Sequence, residues 1–305
     1  MKILFAGASG ILGRKTTREL TAAGHQVAGL GRGAGNTLQA DLLDPAAVLR
    51  AVDGLHFDVV IHAATGLSGK ALTRHRDMAP TNELRTKGTV NLLAAARATG
   101  ARRFVAESMM FGYGYGDHGT TPLAEDHAVF GPRGTNAWLE RHVGAMRTKE
   151  KLTFTTEGIE GIALRFGLFY GAGVTDTLTV PMLRKRALPV VRERGTVLSW
   201  VDVDDAARAL ALAVEAGKPG EAYNIADNTP LSFAAHVRAA AEAFGTRPPR
   251  TVPSWLLRAA PLAHTVITTN LCLDPTKAHQ DLGWTPEHPD GPTRLRELAA
   301  ALANG

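Results

Sequence analysis

The strongest constraint on this chain stands at its start. Lys2-Ile3-Leu4-Phe5-Ala6 is a short apolar run, suited to a strand covered on both faces. It leads into Gly7-Ala8-Ser9-Gly10-Ile11-Leu12-Gly13 and then into a segment of helical composition, Arg14 to Ala23, that stops at Gly24. His25 to Leu30 reads as the next strand, which completes a βαβ unit. In that context each glycine has its own task. Gly7 permits the sharp turn, Gly10 keeps a Cβ out of the path of a pyrophosphate, and Gly13 lets the helix lie close to the sheet. A diphosphate then rests on free N–H groups at the positive end of the helix, with Ser9, Ile11 and Leu12 completing the cradle.

The alternation continues. Asp44-Pro45 reads as an N-cap and a proline at the first helical position, opening a short helix to Val52. Phe57 to His62 is a strand, Thr86 to Thr99 an Ala/Leu-rich helix closed by Gly100, Arg103 to Ser108 a strand, Trp138 to Leu152 a helix and Gly161 to Phe166 a strand. Strict alternation predicts an α/β fold, a doubly wound parallel sheet with right-handed crossovers. Beyond residue 170 the pattern loosens. A strand at Val197 to Val201, a helix at Asp204 to Ala216 capped by Asp204 or Asp205, a strand at Glu221 to Ile225, and helices at Ser232 to Phe244, Thr276 to Leu282 and Pro292 to Ala303 are expected. The expected organisation is a dinucleotide-binding lobe over 1–170, to which part of 197–230 returns. A smaller interleaved lobe over 171–305 then binds substrate.

Composition narrows the function classes. Hydrophobic residues make up 45% and charged residues 21%, enough for a sizeable core and too apolar for wholesale disorder. The net charge of +5 is dispersed, with no basic run, so nucleic acid is not an expected partner. One cysteine, Cys272, excludes an intrachain disulfide framework and a multi-cysteine metal site; no metal is expected. No apolar segment reaches the ~18 residues of a membrane helix. With no cleavage-type leader visible, a cytoplasmic setting is expected.

The second strand ends Leu30-Gly31-Arg32, without the acid that accepts from ribose hydroxyls in NAD sites. Arg32 is instead placed to pair with a 2′-phosphate, and Arg14 can add a second cation. NADP is therefore expected ahead of NAD.

Over nearly its whole length the chain resembles the extended short-chain dehydrogenase/reductase family, the nucleotide-sugar epimerase and dehydratase group. The loop GASGILG is similar to that family's GxxGxxG. Asp41-Leu42 resembles the pair that contacts adenine, and His62-Ala63-Ala64-Thr65 the turn that lies along the cofactor. Gly88-Thr89-Val90-Asn91-Leu92-Leu93, Phe111-Gly112-Tyr113-Gly114, Leu164 to Gly171, Trp200 to Ala209, Glu221 to Ile225 and Leu282 to Pro286 match further family segments in order. The resemblance implies a nicotinamide cofactor held by Gly7, Ser9, Gly10, Ile11, Leu12, Gly13, Arg32, Asp41, Leu42, Ala63, Ala64 and Thr65. It also implies a small-molecule substrate and a possible homodimer.

It further implies a Tyr-x-x-x-Lys pair on one helix face, with the Lys lowering the Tyr pKa so that a phenolate moves protons. That pair is absent: tyrosine occurs only at 113, 115, 170 and 223, none followed by Lys at that spacing. Three registers stay open on Trp138 to Leu152. Aligning Glu150 with the acid that often follows the motif puts His142 at the Tyr position and Met146 at the Lys position. Aligning Lys149 puts Ala145 at the Tyr position. A third register pairs Trp138 with His142. The family's hydroxyl position falls on Met109, beside Ser108, and the dehydratase Asp-Glu pair is replaced by Met110-Phe111. Arg85 replaces a frequent Asn. These methionines suit an apolar or aromatic substrate, or else fill the core. His142, Tyr113 and Ser108 are the candidate catalytic residues, with Glu107 as a raised-pKa acid or a partner of Arg102 or Arg103. Lys149 is a candidate for the cofactor ribose.

Two function classes follow. One is an NAD(P)-dependent oxidoreductase, epimerase or dehydratase with non-standard acid–base residues, acting on a sugar nucleotide or secondary metabolite. The other is a catalytically silent NAD(P)-binding sensor. A third variant uses the cofactor without net redox.

Overall fold

The computed structural model describes residues 1–67, 72–126, 129–192 and 195–304. Its strands are β1 (Lys2–Ala6), β2 (Gln26–Gly31), β3 (Leu38–Gln39), β4 (Val59–His62), β5 (Arg103–Met109), β6 (Glu160–Phe166), β7 (Leu168–Tyr170), β8 (Val190–Val191), β9 (Trp200–Asp202), β10 (Ala222–Ile225) and β11 (Thr251–Val252). Seven of them form one parallel sheet in the order β10-β6-β5-β4-β1-β2-β3. This is the doubly wound Rossmann-type α/β arrangement that the alternation predicts.

The helices are α1 (Ile11–Ala22), α2 (Pro45–Ala51), α3 (Ala79–Glu83), α4 (Thr89–Thr99), α5 (Ala137–Thr155), α6 (Val180–Arg184), α7 (Val203–Ala216), α8 (Phe233–Ala243), α9 (Pro261–Ile267), α10 (Thr276–Leu282) and α11 (Gly291–Ala303). α1 and α7 lie together over one face of the sheet; α2, α4 and α5 cover the other. Cover on both faces is why the strands carry unbroken apolar runs: Ile3, Leu4, Phe5 and Ala6 are all fully buried. The local signals hold at several ends. Asp44 caps α2 by accepting from the Ala47 amide, Ser232 caps α8, and Gly100 closes α4 at φ +77.

Two local readings need correcting. The cap of α7 is Asp202, which accepts from the Asp204 amide, and not Asp204 or Asp205. Asp205 is buried, and its carboxylate accepts from the amides of Glu287 and His288 at 2.8 Å each, tying the chain's last segment to α7. The helix expected from Thr86 begins earlier. α3 runs through a π turn, Leu84–Gly88, into α4. The π turn was not legible because it interrupts the helical period that would have betrayed it.

The later segments interleave with the earlier ones. β10 joins the sheet beside β6, while α8 and the last helix, Gly291–Ala303, pack against Tyr170 and Trp200 outside it. The winding reverses between β1 and β4, which opens a crevice at the carboxyl ends of the strands.

Candidate active site

The cofactor residues expected from the sequence gather along that crevice. Gly7 follows β1, Arg32 follows β2, Asp41 and Leu42 follow β3, and Ala63, Ala64 and Thr65 follow β4. These strands are neighbours in the sheet, so residues far apart in sequence share one rim.

The β1–α1 turn fits a diphosphate. Gly7 has φ +102, and a Cβ there would come within 2.6 Å of the Ala63 carbonyl carbon. A Cβ on Gly13 would sit 2.1 Å from the Gly7 oxygen, so that glycine is required by the helix's closeness to the turn. A Cβ on Gly10 would meet only the Gly7 oxygen, at 3.3 Å, leaving the space above open. Gly10 is also the N-cap of α1, with no side-chain cap and no acid in the first turn. The leading amides therefore have no anionic partner from the protein itself, and the helix dipole favours one from outside. Arg32 and Arg14 are both exposed; Arg14 donates to the Ser9 carbonyl at 2.5 Å. Asp41 is exposed and accepts from the Leu43 amide, while Leu42 is buried.

The second half of the site comes from α5, whose buried face carries His142, Met146, Lys149 and Glu150. Arg165 of β6 anchors this helix. Its Nε and Nη2 donate to the Glu150 carboxylate at 2.7 to 3.3 Å, with both side chains buried. One residue earlier, the Lys149 ammonium donates to the His62 carbonyl at 3.1 Å and to Glu107 Oε2 at 3.2 Å. Glu107 thus pairs with Lys149 and not with Arg102 or Arg103; Arg103 pairs with Glu160. Burial pulls the Lys149 ammonium down to about 8, against the opposing attraction of Glu107.

His142 is buried, not solvent-facing. The Asn82 amide lies 3.0 Å from its Nδ1, and its Nε2 lies 3.1 Å from His75 Nδ1. With the Asn82 amide donating, Nδ1 accepts and the proton sits on Nε2, facing His75. His75 in turn stacks on Trp138. Burial, followed by the nearby His75, Arg85 and Arg141, pulls His142 down to about 4, so it is neutral at physiological pH.

Tyr113 is placed differently from a base. Its hydroxyl donates to Asn224 Oδ1 at 2.9 Å and accepts from Arg165 Nη1 at 2.8 Å. Burial raises it to about 12 despite Arg165 beside it. Tyr113 thus helps to hold Arg165 in place. Ser108 lies on β5 with its Oγ buried and, among the described residues, without a hydrogen-bond partner. Met109, at the end of β5, is half-buried, whereas Met110 and Phe111 fill an apolar cluster with Val143 and Met146.

Sequence reasoning missed His75 and Asn82. Both stand on or just before α3, whose only local signal is Pro80 in its first turn. Among the described residues, no group of three or more His, Cys, Asp or Glu is placed to hold a metal, and no helix is long and apolar enough to cross a membrane.

A glycine cradle at one end of a switch-point crevice and a buried Lys–Glu pair at the other define a dinucleotide-binding protein of the doubly wound class. The chain belongs to the NAD dependent epimerase/dehydratase family, which it matches over residues 3–226. Among characterised relatives it is 34% identical, over 304 residues, to a 3-diazoavenalumate denitrifying reductase from a Streptomyces species. That match covers 95% of this chain and 97% of the relative. The fold is shared with dTDP-glucose 4,6-dehydratase DesIV from Streptomyces venezuelae, solved with NAD and TYD bound (TM-score 0.79, 20% identity, covering 100% of this chain and 98% of the other). It is also shared with the UDP-glucose 4-epimerase of Thermus thermophilus in complex with NAD (TM-score 0.75, 23% identity, covering 100% of both chains).

Proposed function

We propose that this chain is an NAD(P)H-dependent reductase that replaces the dinitrogen of an apolar or aromatic diazo compound, in its diazonium form, with hydrogen. The observation that carries this reading is the state of the α5 face. The Glu150–Arg165 pair favours the register in which His142 stands at the family's Tyr position and Met146 at its Lys position. His142 is neutral, with both ring nitrogens engaged, so no acid of ordinary strength stands where carbonyl reduction or sugar epimerisation needs one.

A reduced nicotinamide, when bound, supplies hydride, and a diazonium carbon that accepts hydride releases dinitrogen with no proton needed: R–N2⁺ plus H⁻ gives R–H plus N2. The chemistry and the missing proton relay therefore agree, and the relative's printed activity is of this kind. A sugar-nucleotide substrate is less well supported, because Met109 stands where the family's hydroxyl would hold the reacting oxygen.

The residues that would hold the cofactor are those of the rim. Gly7 to Gly13 take the diphosphate, Asp41 and Leu42 border the adenine, and Ala63 to Thr65 lie along the chain of the dinucleotide. Arg32, exposed at the end of β2, favours NADP over NAD by offering a fork to a 2′-phosphate. Lys149 and Glu107 hold each other at the floor, and Lys149 also fixes the His62 carbonyl at the end of β4. Met109, half-buried at the end of β5, would add apolar surface at this end of the sheet.

The test uses purified protein, an aromatic diazonium carboxylate, and NADPH or NADH carrying deuterium at the transferable position. Loss of the coenzyme's near-ultraviolet absorbance, release of dinitrogen, and deuterium at the vacated carbon are expected. Loss of the diazo group without coenzyme oxidation, or a product without deuterium, refutes the reading. Coenzyme binding with no turnover would point instead to the silent sensor.

A further inference from the structure

We infer that Arg85 is the receptor for a carboxylate on the substrate. Three Lys or Arg side chains are buried in the described protein, Arg85, Lys149 and Arg165, and two have a carboxylate partner: Lys149 has Glu107 and Arg165 has Glu150. Arg85 is 5% exposed, its Nε has no hydrogen-bond partner, and among the described residues no carboxylate lies within ion-pairing distance of it. A buried guanidinium left in this state is costly, because the charge has given up water without gaining an anion. The protein retains it where an anion arrives from outside.

Its position says which anion. Arg85 stands on the π turn Leu84–Gly88, and its charge bears on His62, His142, Lys149 and Tyr115. The carbonyl of Leu84, the neighbour of Arg85, lies 3.2 Å from His62 Nε2, so the π turn abuts the carboxyl end of β4. The diphosphate cradle is elsewhere, at Gly10 on the β1–α1 turn, and is already supplied with amides. Lys149 is committed to Glu107 and His62, and His142 is neutral, so among the described residues Arg85 is the buried positive charge at this end that has no carboxylate of its own. A planar guanidinium matches a carboxylate through two parallel hydrogen bonds, which gives orientation as well as attraction. The ligand class is thus a small, largely apolar carboxylic acid: Arg85 is the anchor, and Tyr115, on which its charge bears, borders the same apolar cluster as Met109. That the acid is the substrate rests on the reductase reading above; the anion site itself does not.

The experiment loads the protein with NADP⁺ and titrates benzoate and cinnamate, each beside its methyl ester, by calorimetry. At least one acid is expected to bind ~30-fold or more tightly than its ester, the scale of a desolvated charge pair. Arg85→Gln is expected to abolish that difference while leaving NADP⁺ affinity unchanged, and its melting temperature is expected to hold or rise because an unpaired buried charge has gone. Arg85→Lys keeps the charge without the fork and is expected to fall between the two. Equal affinity for acid and ester, or binding of neither, overturns the inference. So does a loss of NADP⁺ affinity in Arg85→Gln, which would assign the anion to the coenzyme. If the acid–ester difference depends on Arg85 but no diazonium compound is reduced, the carboxylate site stands and the reductase reading falls.

Discussion

Replacing Glu150 with Ala tests whether α5 is held in place by one buried ion pair. The Glu150 carboxylate takes three contacts from Arg165, the shortest at 2.7 Å, and the two side chains are 4% and 7% exposed. After the substitution Arg165 keeps the Tyr113 hydroxyl and the faces of Tyr113 and Phe130, but no carboxylate among the described residues. Breaking a buried pair from one side costs about 3–5 kcal/mol. At the usual unfolding entropy per residue, a chain of 305 residues then loses about 6 °C in melting temperature. Calorimetric melting and urea titration at neutral pH measure it. The double variant Glu150→Leu with Arg165→Met is expected to recover most of the loss, since apolar residues of similar volume often replace a buried pair at little cost. A loss below about 1 kcal/mol for Glu150→Ala would mean that the pair behaves as a solvated surface bridge. A double variant as damaged as the two singles together would also refute the argument.

Gly10→Ala is expected to leave stability nearly unchanged but to weaken dinucleotide binding about tenfold or more. Gly13→Ala, whose Cβ would meet the backbone at 2.1 Å, is expected to cost about 1–3 kcal/mol of stability as well; melting and calorimetry separate the two effects. Arg32→Ala is expected to weaken NADP⁺ by about tenfold or more, the scale of a hydrogen bond to a charged group, and to spare NAD⁺; equal loss contradicts the phosphate role. His142, at about 4 in the folded protein against an ordinary 6.5, stays neutral while the unfolded chain takes up a proton, so its share of stability is lost as pH falls from 6.5 toward 4. His142→Gln should flatten that limb of a urea-stability profile, leaving the similar share of buried His236. For Lys149, at about 8 against 10.5, the unfolded chain keeps a proton that the folded one has released between those values. Stability should therefore rise with pH across that window, by up to about 3 kcal/mol, and a Lys149→Met variant should lack the rise.

What the sequence made legible was local. An apolar run closed by glycines identifies β1 and its turn, and Asp44-Pro45 and Ser232 announce their helices because a cap bonds within its own first turn. What it left open was decided at a distance. Asp202, Asp204 and Asp205 are equivalent cap candidates by type. The Asp204 amide bonds Asp202, while Asp205 is drawn away to Glu287 and His288, and that sorts them. The three registers of α5 are equally open by residue type, and the grip of Arg165 on Glu150 comes from β6, out of reach of any local pattern. Glu107 was readable as a polar residue where burial was expected, but its partner lies on another helix. Arg85 is visible as a departure from the family; that no carboxylate among the described residues pairs with it is a property of the packed protein alone.

The return of β10 to the sheet beside β6 has a consequence for how the polypeptide is made. Until the ribosome has released residues beyond 225, β6 is a bare flank with unpaired amides and carbonyls. The face that α7 will shelter, lined by Val105, Ile162 and Leu164, stands open to water and to other nascent chains. The nucleotide-holding half is therefore completed by its own successor in the sequence. A fragment cut at the apparent lobe boundary would be sticky and incomplete, and not a smaller working protein.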